Sequence, residues 1–167
     1  MVEIEKFNPR REAIVFRKKY KTFKEAWKEC HRGDWMLWIA SRLGTSTRIL
    51  TRAKAHCALT VKHLMKDKRS INACEVALKF ADKKATRQEL HDAAYAAYAA
   101  YADAAAADSW SAYAADAAAA DAAADAAAAY AADAAYAAAD AAAAAANRKQ
   151  TADICRKYLT RSVFKLI

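Results

Sequence analysis

Apolar residues recur along this chain at helical spacing. Between Thr47 and Lys66, Leu50, Ala53, Cys57, Val61 and Leu64 fall on one side of a helix. Arg48, Arg52, His56 and His63 fall within about 80° of one another on the opposite side. From residue 35 to 43, Trp35, Trp38, Ile39 and Arg42 share one face, while Leu37, Ala40 and Leu43 take the other. A helix apolar on both faces is normally buried. Near the C-terminus, Ile154, Cys155, Tyr158 and Leu159 make a further amphipathic stripe.

Punctuation residues divide these stripes into elements. Asn8 before Pro9 predicts an N-cap and a helix to about Tyr20. Thr22 with Glu25 makes a capping box for a helix to Cys30, and Thr86 with Glu89 makes another that opens the alanine-rich region. Asp34 is expected to cap the tryptophan helix, with Gly44 ending it in a left-handed conformation. Thr45 or Ser46 starts the next helix, to about Lys66; Ser70 starts another, ending near Ala81; a last helix follows Asn147. With one proline and two glycines in the chain, long helices are favoured over a turn-rich β fold. The expected fold is all-α, a single-domain helical bundle of about seven or eight helices over residues 1–167.

Composition changes sharply after residue 90. Of the 56 residues from His91 to Ala146, 38 are alanine, and most of the rest are Asp and Tyr. Alanine has the highest helix propensity, yet one helix of that length would run about 84 Å. A break is therefore expected, best placed at Asp108-Ser109-Trp110-Ser111. Asp121, Asp125, Asp133 and Asp140 fall within roughly 120° on a wheel and read as a solvent-facing stripe. The alanine face behind them lets helices approach closely, or leaves a cleft rimmed by Tyr95, Tyr98, Tyr101 and Tyr113. Such faces pair between chains as readily as within one, which allows a homo-oligomer.

The net charge of +9 hides a partition. Residues 1–90, the basic tryptophan-bearing half, carry 22 Lys/Arg against 10 Asp/Glu. Residues 91–146 carry eight Asp and no Lys or Arg, and residues 147–167, the C-terminal basic helix, carry six basic residues and one acidic. Acidic helices lying against a basic half explain this better than a nucleic-acid footprint, which places a basic face without an acidic block beside it. No signal peptide or membrane span is expected, and Cys30, Cys57, Cys74 and Cys155 lack metal or disulfide spacing, which together suit the cytoplasm. No metal and no cofactor is expected.

Enzymatic chemistry has little to stand on. His91-Asp92, with His56 and His63 upstream, suggests a metal-dependent phosphohydrolase, but the later aspartates read as a surface stripe. There is no glycine-rich phosphate loop and no nucleophile–base pattern. Arg32-Gly33-Asp34 spells the integrin tripeptide and is read as coincidence. The sharper candidates are a cation cluster of Arg48, Arg52 and His56, extended by Lys66, Lys68 and Arg69, and the indoles of Trp35 and Trp38. Guanidinium forks suit phosphate, and indoles stack on planar groups.

Three segments together resemble a group of small alanine-rich proteins of phages and bacteria, some of them similar to immunity proteins of polymorphic toxin systems. They are W-K-E-C-H-R-G-D-W-M-L-W-I-A-S-R-L-G, Arg69-Ser70 leading into A-C-E-V-A-L-K-F-A, and the Ala/Tyr/Asp tract ending in Gln150 and Asp153-Ile154-Cys155-Arg156. The resemblance spans about residues 27–158, and its marked positions fall on Trp35, Arg69 and Glu75. Ser70 stands where proline is common and Lys83 where glycine is common; His91-Asp92 lies outside the pattern. The resemblance implies a non-catalytic binder in a bacterial host cell. One form is a phage counter-defence protein sequestering a nucleotide-derived immune signal, such as a cyclic nucleotide or ADP-ribose derivative. Arg48, Arg52, Arg69 and Arg156 would then meet phosphates beside His56, with Trp35, Trp38 or Tyr98 stacking on a base. The alternative is an immunity-type inhibitor whose acidic helical face binds a toxin protein.

Overall fold

A computed structural model describes residues 4–65, 67–103 and 141–167. Every regular element among them is helical, and none is a strand. A 3₁₀ turn, Ile4–Phe7, precedes α1 (Arg11–Arg17), α2 (Phe23–Glu29), α3 (Gly33–Arg42) and α4 (Thr47–Leu59). A second 3₁₀ turn, Lys62–Leu64, leads to α5 (Lys68–Ala81) and α6 (Arg87–Asp103). The last helix, α7, spans Ala141–Val163.

Two apolar clusters organise these helices. In the first, α2, α3, α4 and α7 meet through Trp27, Met36, Leu37, Leu50, Cys155 and Leu159. In the second, α5 and α6 pack on the other side of α4 and its following turn, through Ala55, Ala58, Val61, Met65, Phe80 and Leu90. Because α4 serves both, Ala53, Ala55, Cys57 and Ala58 are all buried on a 13-residue helix. Lys54, on the same helix, is only 2% exposed.

The capping boxes form as the sequence predicts. The Glu25 N–H donates to Thr22 Oγ1 at 3.1 Å while the Glu25 carboxylate accepts from the Thr22 N–H. Thr86 and Glu89 make the same reciprocal pair at the start of α6. Other caps differ from expectation. Asn8 adopts a left-handed φ of 52°, which asparagine tolerates, so α1 begins two residues beyond Pro9 with Arg10 at its cap. Asp34 does not cap α3; its carboxylate is held by the Arg32 guanidinium at 2.5 and 2.8 Å. Asp67 rather than Ser70 caps α5, accepting from the Arg69 N–H at 2.7 Å. Ser70 instead lies buried inside that helix.

Helix α4 stops earlier than predicted. The Thr60 hydroxyl donates back to the Cys57 carbonyl at 2.7 Å, and the chain turns so that Val61 and Met65 enter the second cluster. At the other end, α7 starts upstream of Asn147, whose amide donates to Thr60 Oγ1 at 2.7 Å and ties α7 to the end of α4. The predicted break at 108–111 and the stripe of Asp121, Asp125, Asp133 and Asp140 lie outside the described residues.

Two helices end on left-handed residues. Gly44 has a φ of 85°, and the Thr45 N–H closes onto the Ala40 carbonyl. After α5 the same turn falls on Lys83, at φ 63°, with the Lys84 N–H donating to the Lys79 carbonyl at 2.8 Å. A side chain with a Cβ is strained there, and glycine is not. Lys83→Gly is therefore expected to stabilise the fold by about 0.5–1 kcal/mol. Urea unfolding of the two proteins checks this, and an unchanged or lower midpoint would refute it.

Candidate functional site

The α4 cations reach out to helix ends. Arg48 donates to the Phe80 carbonyl and lies over the Phe80 ring, 4.2 Å from its centroid. One turn on, Arg52 donates to the Ala81 carbonyl at 3.0 Å and pairs with Asp82 at 2.5 Å. Both therefore satisfy carbonyls at the C-terminus of α5, where a helix leaves acceptors unpaired and favours positive charge. Arg156 does the same for α2, donating to the Lys28 and Cys30 carbonyls at 3.1 and 2.6 Å and to Asp153 at 2.6 Å. The expected convergence of these arginines on one phosphate is not what the geometry offers. Each is engaged by backbone at a different place in the fold.

His56 stacks flat on Tyr158 of α7, with ring centroids 4.6 Å apart and planes 4° from parallel. Burial, then the nearby Lys157 and Arg52 charges, hold its pKa below the usual histidine value. Because the folded-state pKa lies below that of the unfolded chain, protonation opposes folding, and stability falls as pH drops below about 6.5. His56→Phe keeps the stack and is expected to flatten that fall. Urea midpoints between about pH 7.5 and pH 5 check it; equal acid sensitivity in both proteins would refute the assignment.

Arg69 folds back on its own cap, chelating the Asp67 carboxylate with Nη2 at 2.8 Å and Nε at 3.1 Å. Those bonds hold the Asp67 carboxyl below the usual carboxylate range. Tyr98 is exposed on α6, in the second cluster, as is Tyr95; the Tyr101 and Tyr113 side chains lie outside the described residues, as does Lys66. Trp35 and Trp38 belong to α3 and flank the first cluster. Tyr98 and Arg69 are thus on a different side of α4 from the indoles. His91 and Asp92 sit exposed on α6 with 3.8 Å between them. Among the described residues, no three His, Cys, Asp or Glu side chains gather in the manner of a metal site.

The indoles do line a pocket. It opens between the N-terminal 3₁₀ turn, α1, α2 and α3, and its wall is almost wholly apolar. Phe16 from α1, Phe23 and Trp27 from α2, and Trp35, Trp38 and Ile39 from α3 supply most of that wall. Its open space is about 420 Å³, much of it continuous with solvent, while a water-sized body can centre in only about 50 Å³. The smaller figure sets the enclosed capacity, so the pocket takes one ring system and leaves the rest of any larger ligand outside.

Around Trp35 the packing is specific. The Arg32 guanidinium lies 4.6 Å from its ring centroid, and Phe16 meets it at 5.7 Å. Trp38 meets Phe7 edge-on at 6.5 Å. Two donors on pocket-lining residues, Trp35 Nε1 and Arg17 Nε, are buried and have no acceptor. Arg17 donates through Nη1 to the Tyr20 carbonyl at 2.8 Å, and no carboxylate among the described residues is within ion-pair distance of it. A buried donor without a partner costs about 1–3 kcal/mol, and one explanation of such a group is a ligand or water that satisfies it. The sequence pattern singled out the indoles but not Phe16 or Arg17, because nothing local marks α1 as a pocket wall.

Thiol chemistry is suppressed. All four cysteines are buried and unbridged. Burial pushes the Cys30 thiol, at the pocket wall, up to about 11 and Cys74 to about 12, and raises Cys155 as well. None is a ready nucleophile at neutral pH. No helix among the described residues is long and apolar enough to cross a membrane. No protein-family model, curated protein or solved structure matches the chain.

Proposed function

We propose that this chain is a non-catalytic binding protein that sequesters a small anionic ligand, holding a planar part of it in the pocket between α1, α2 and α3. The observation that carries this reading is the pair of unpartnered donors, Trp35 Nε1 and Arg17 Nε, on an aromatic wall. An apolar pocket with few polar groups is the usual form of a small-molecule site. Lys18, Lys19 and Lys21, all exposed, follow Arg17 directly and add positive charge beside it. In the setting that the sequence resemblance implies, a phage counter-defence protein in the cytoplasm of a bacterial host, the ligand is a nucleotide-derived immune signal. An immunity-type inhibitor that docks its acidic helices on a toxin is the second reading; it rests on the eight Asp and no Lys or Arg of residues 91–146.

A thermal-shift series tests the first reading. The purified protein is heated with mononucleotides, cyclic dinucleotides, ADP-ribose and simple aromatic acids, and each compound is then weighed by mass spectrometry. A ligand bound only by the folded state raises the melting temperature by mass action. The expected result is a shift of several degrees with a compound recovered intact, and loss of that shift in Trp38→Ala. Recovery of a cleaved compound would replace the reading with catalysis. No shift with any compound would overturn it in favour of the protein-partner reading.

A further inference from the structure

The polar groups on the pocket wall have a common character. The lining side chains include no carboxylate, amide or hydroxyl. Their polar groups are indoles, the Arg17 guanidinium and the Cys30 thiol, which already points at the Arg32 carbonyl. Trp27 Nε1 is taken by Thr160 Oγ1 at 3.0 Å. What remains unpartnered is two N–H donors, one of them on a cation. A site of this kind satisfies a group that only accepts. It penalises a group that also donates, because the donor's hydrogens would meet apolar carbon.

From this we infer that the pocket takes an aromatic or similarly compact apolar monocarboxylic acid, its ring between Phe16, Trp35 and Trp38 and its carboxylate on Arg17. This rests on the reading above that the pocket is a ligand site, and narrows it. Nη1 of Arg17 is held by the Tyr20 carbonyl, which anchors the guanidinium plane and directs the Nε edge toward the ligand. A carboxylate matches the planar donor fork of arginine. The enclosed space suits one ring, whereas a purine would bring an exocyclic amine or ring N–H for which the lining side chains hold no strong acceptor.

Calorimetric titration of the full chain with phenylacetate, phenylacetamide and adenosine monophosphate tests the inference. Phenylacetate is expected to bind saturably, with the isosteric amide at least tenfold weaker. Arg17→Ala is expected to lose at least tenfold in phenylacetate affinity, and Trp35→Phe, which keeps the ring and removes the N–H, about threefold. Circular dichroism melts confirm that each variant is folded, and Trp35→Phe carries the test if Arg17→Ala is not. Equal binding of acid and amide, or unchanged affinity in Trp35→Phe and in a folded Arg17→Ala, would overturn carboxylate recognition. Binding of the nucleotide without the acid would overturn the inference and leave the ligand-site reading standing. Binding of none of the three, with no shift in the wider thermal series, would remove both.

Discussion

Gly33→Ala is expected to lower stability by about 3 kcal/mol, the upper part of the range for overpacking a tight contact. Gly33 is buried at the start of α3, where that helix crosses α7. A Cβ there would sit 2.7 Å from the backbone carbonyl carbon of Thr151 and 2.6 Å from its Oγ1. Real Cβ contacts do not come so close, so one helix must move. Moving it disturbs the Cys155 thiol, which donates to the Gly33 carbonyl at 3.5 Å, and the apolar cluster on which α3 and α7 meet. Removing the Thr151 side chain offers little relief, because the nearest atoms include backbone. Gly33→Ala with Thr151→Ala should therefore stay close to the single variant in urea unfolding. Recovery to within about 0.5 kcal/mol of the parent would show that the side chain alone was the obstacle.

Trp27→Ala is expected to cost about 4 kcal/mol, against about 1–2 kcal/mol for Trp35→Ala or Trp38→Ala. Trp27 is 4% exposed. It packs on Phe23 at 5.9 Å and Phe164 at 6.2 Å, and its N–H reaches Thr160 on α7. Truncation would leave a cavity and an unpartnered hydroxyl across the α2–α7 contact. The other two indoles are only partly buried and border a pocket already open to solvent, so less surrounding structure depends on them. Chemical denaturation of the three variants decides the matter. Similar losses in all three would mean that Trp35 and Trp38 are core and that the pocket is a packing defect.

Helix identity was legible in this sequence where the determining contacts are local. Thr22 with Glu25 and Thr86 with Glu89 need only a three-residue span, and both boxes form. Gly44 likewise ends its helix as its type suggests. Asp34 and Ser70 failed as caps for a physical reason. Asp34 has a neighbouring guanidinium competing for its oxygens, and Ser70 is displaced by an aspartate three residues earlier whose carboxylate also binds Arg69. The division of α4 into an apolar and a basic side was only half informative. Leu50, Ala53 and Cys57 do face the first cluster, but Ala55 and Ala58 are buried against α5 and α6 as well.

The arginines show where the wheel stops being useful. It placed Arg48, Arg52 and His56 on one side of α4 correctly, but their destinations are the α5 terminus and Tyr158, 29 to 102 residues away. Long cationic side chains are recruited to helix ends as readily as to ligands, and sequence spacing does not distinguish the two. The pocket was half visible. Its α3 wall follows from the tryptophan spacing, whereas Phe16 and Arg17 reach it only because α1 folds back over α2 and α3.

The placement of α4 bears on how this chain can vary. A helix with one face in water accepts many substitutions there, because solvent makes no demand on shape. Flanked by α3 and α7 on one side and by α5 and α6 on the other, α4 has small residues at most of its interior positions. A larger residue at Ala53 would push on α3 or α7, and one at Ala55 or Ala58 on α5 or α6. Drift in this family of shapes must therefore be concentrated elsewhere, and α4 should be the segment most resistant to change in a library of random variants selected for folding.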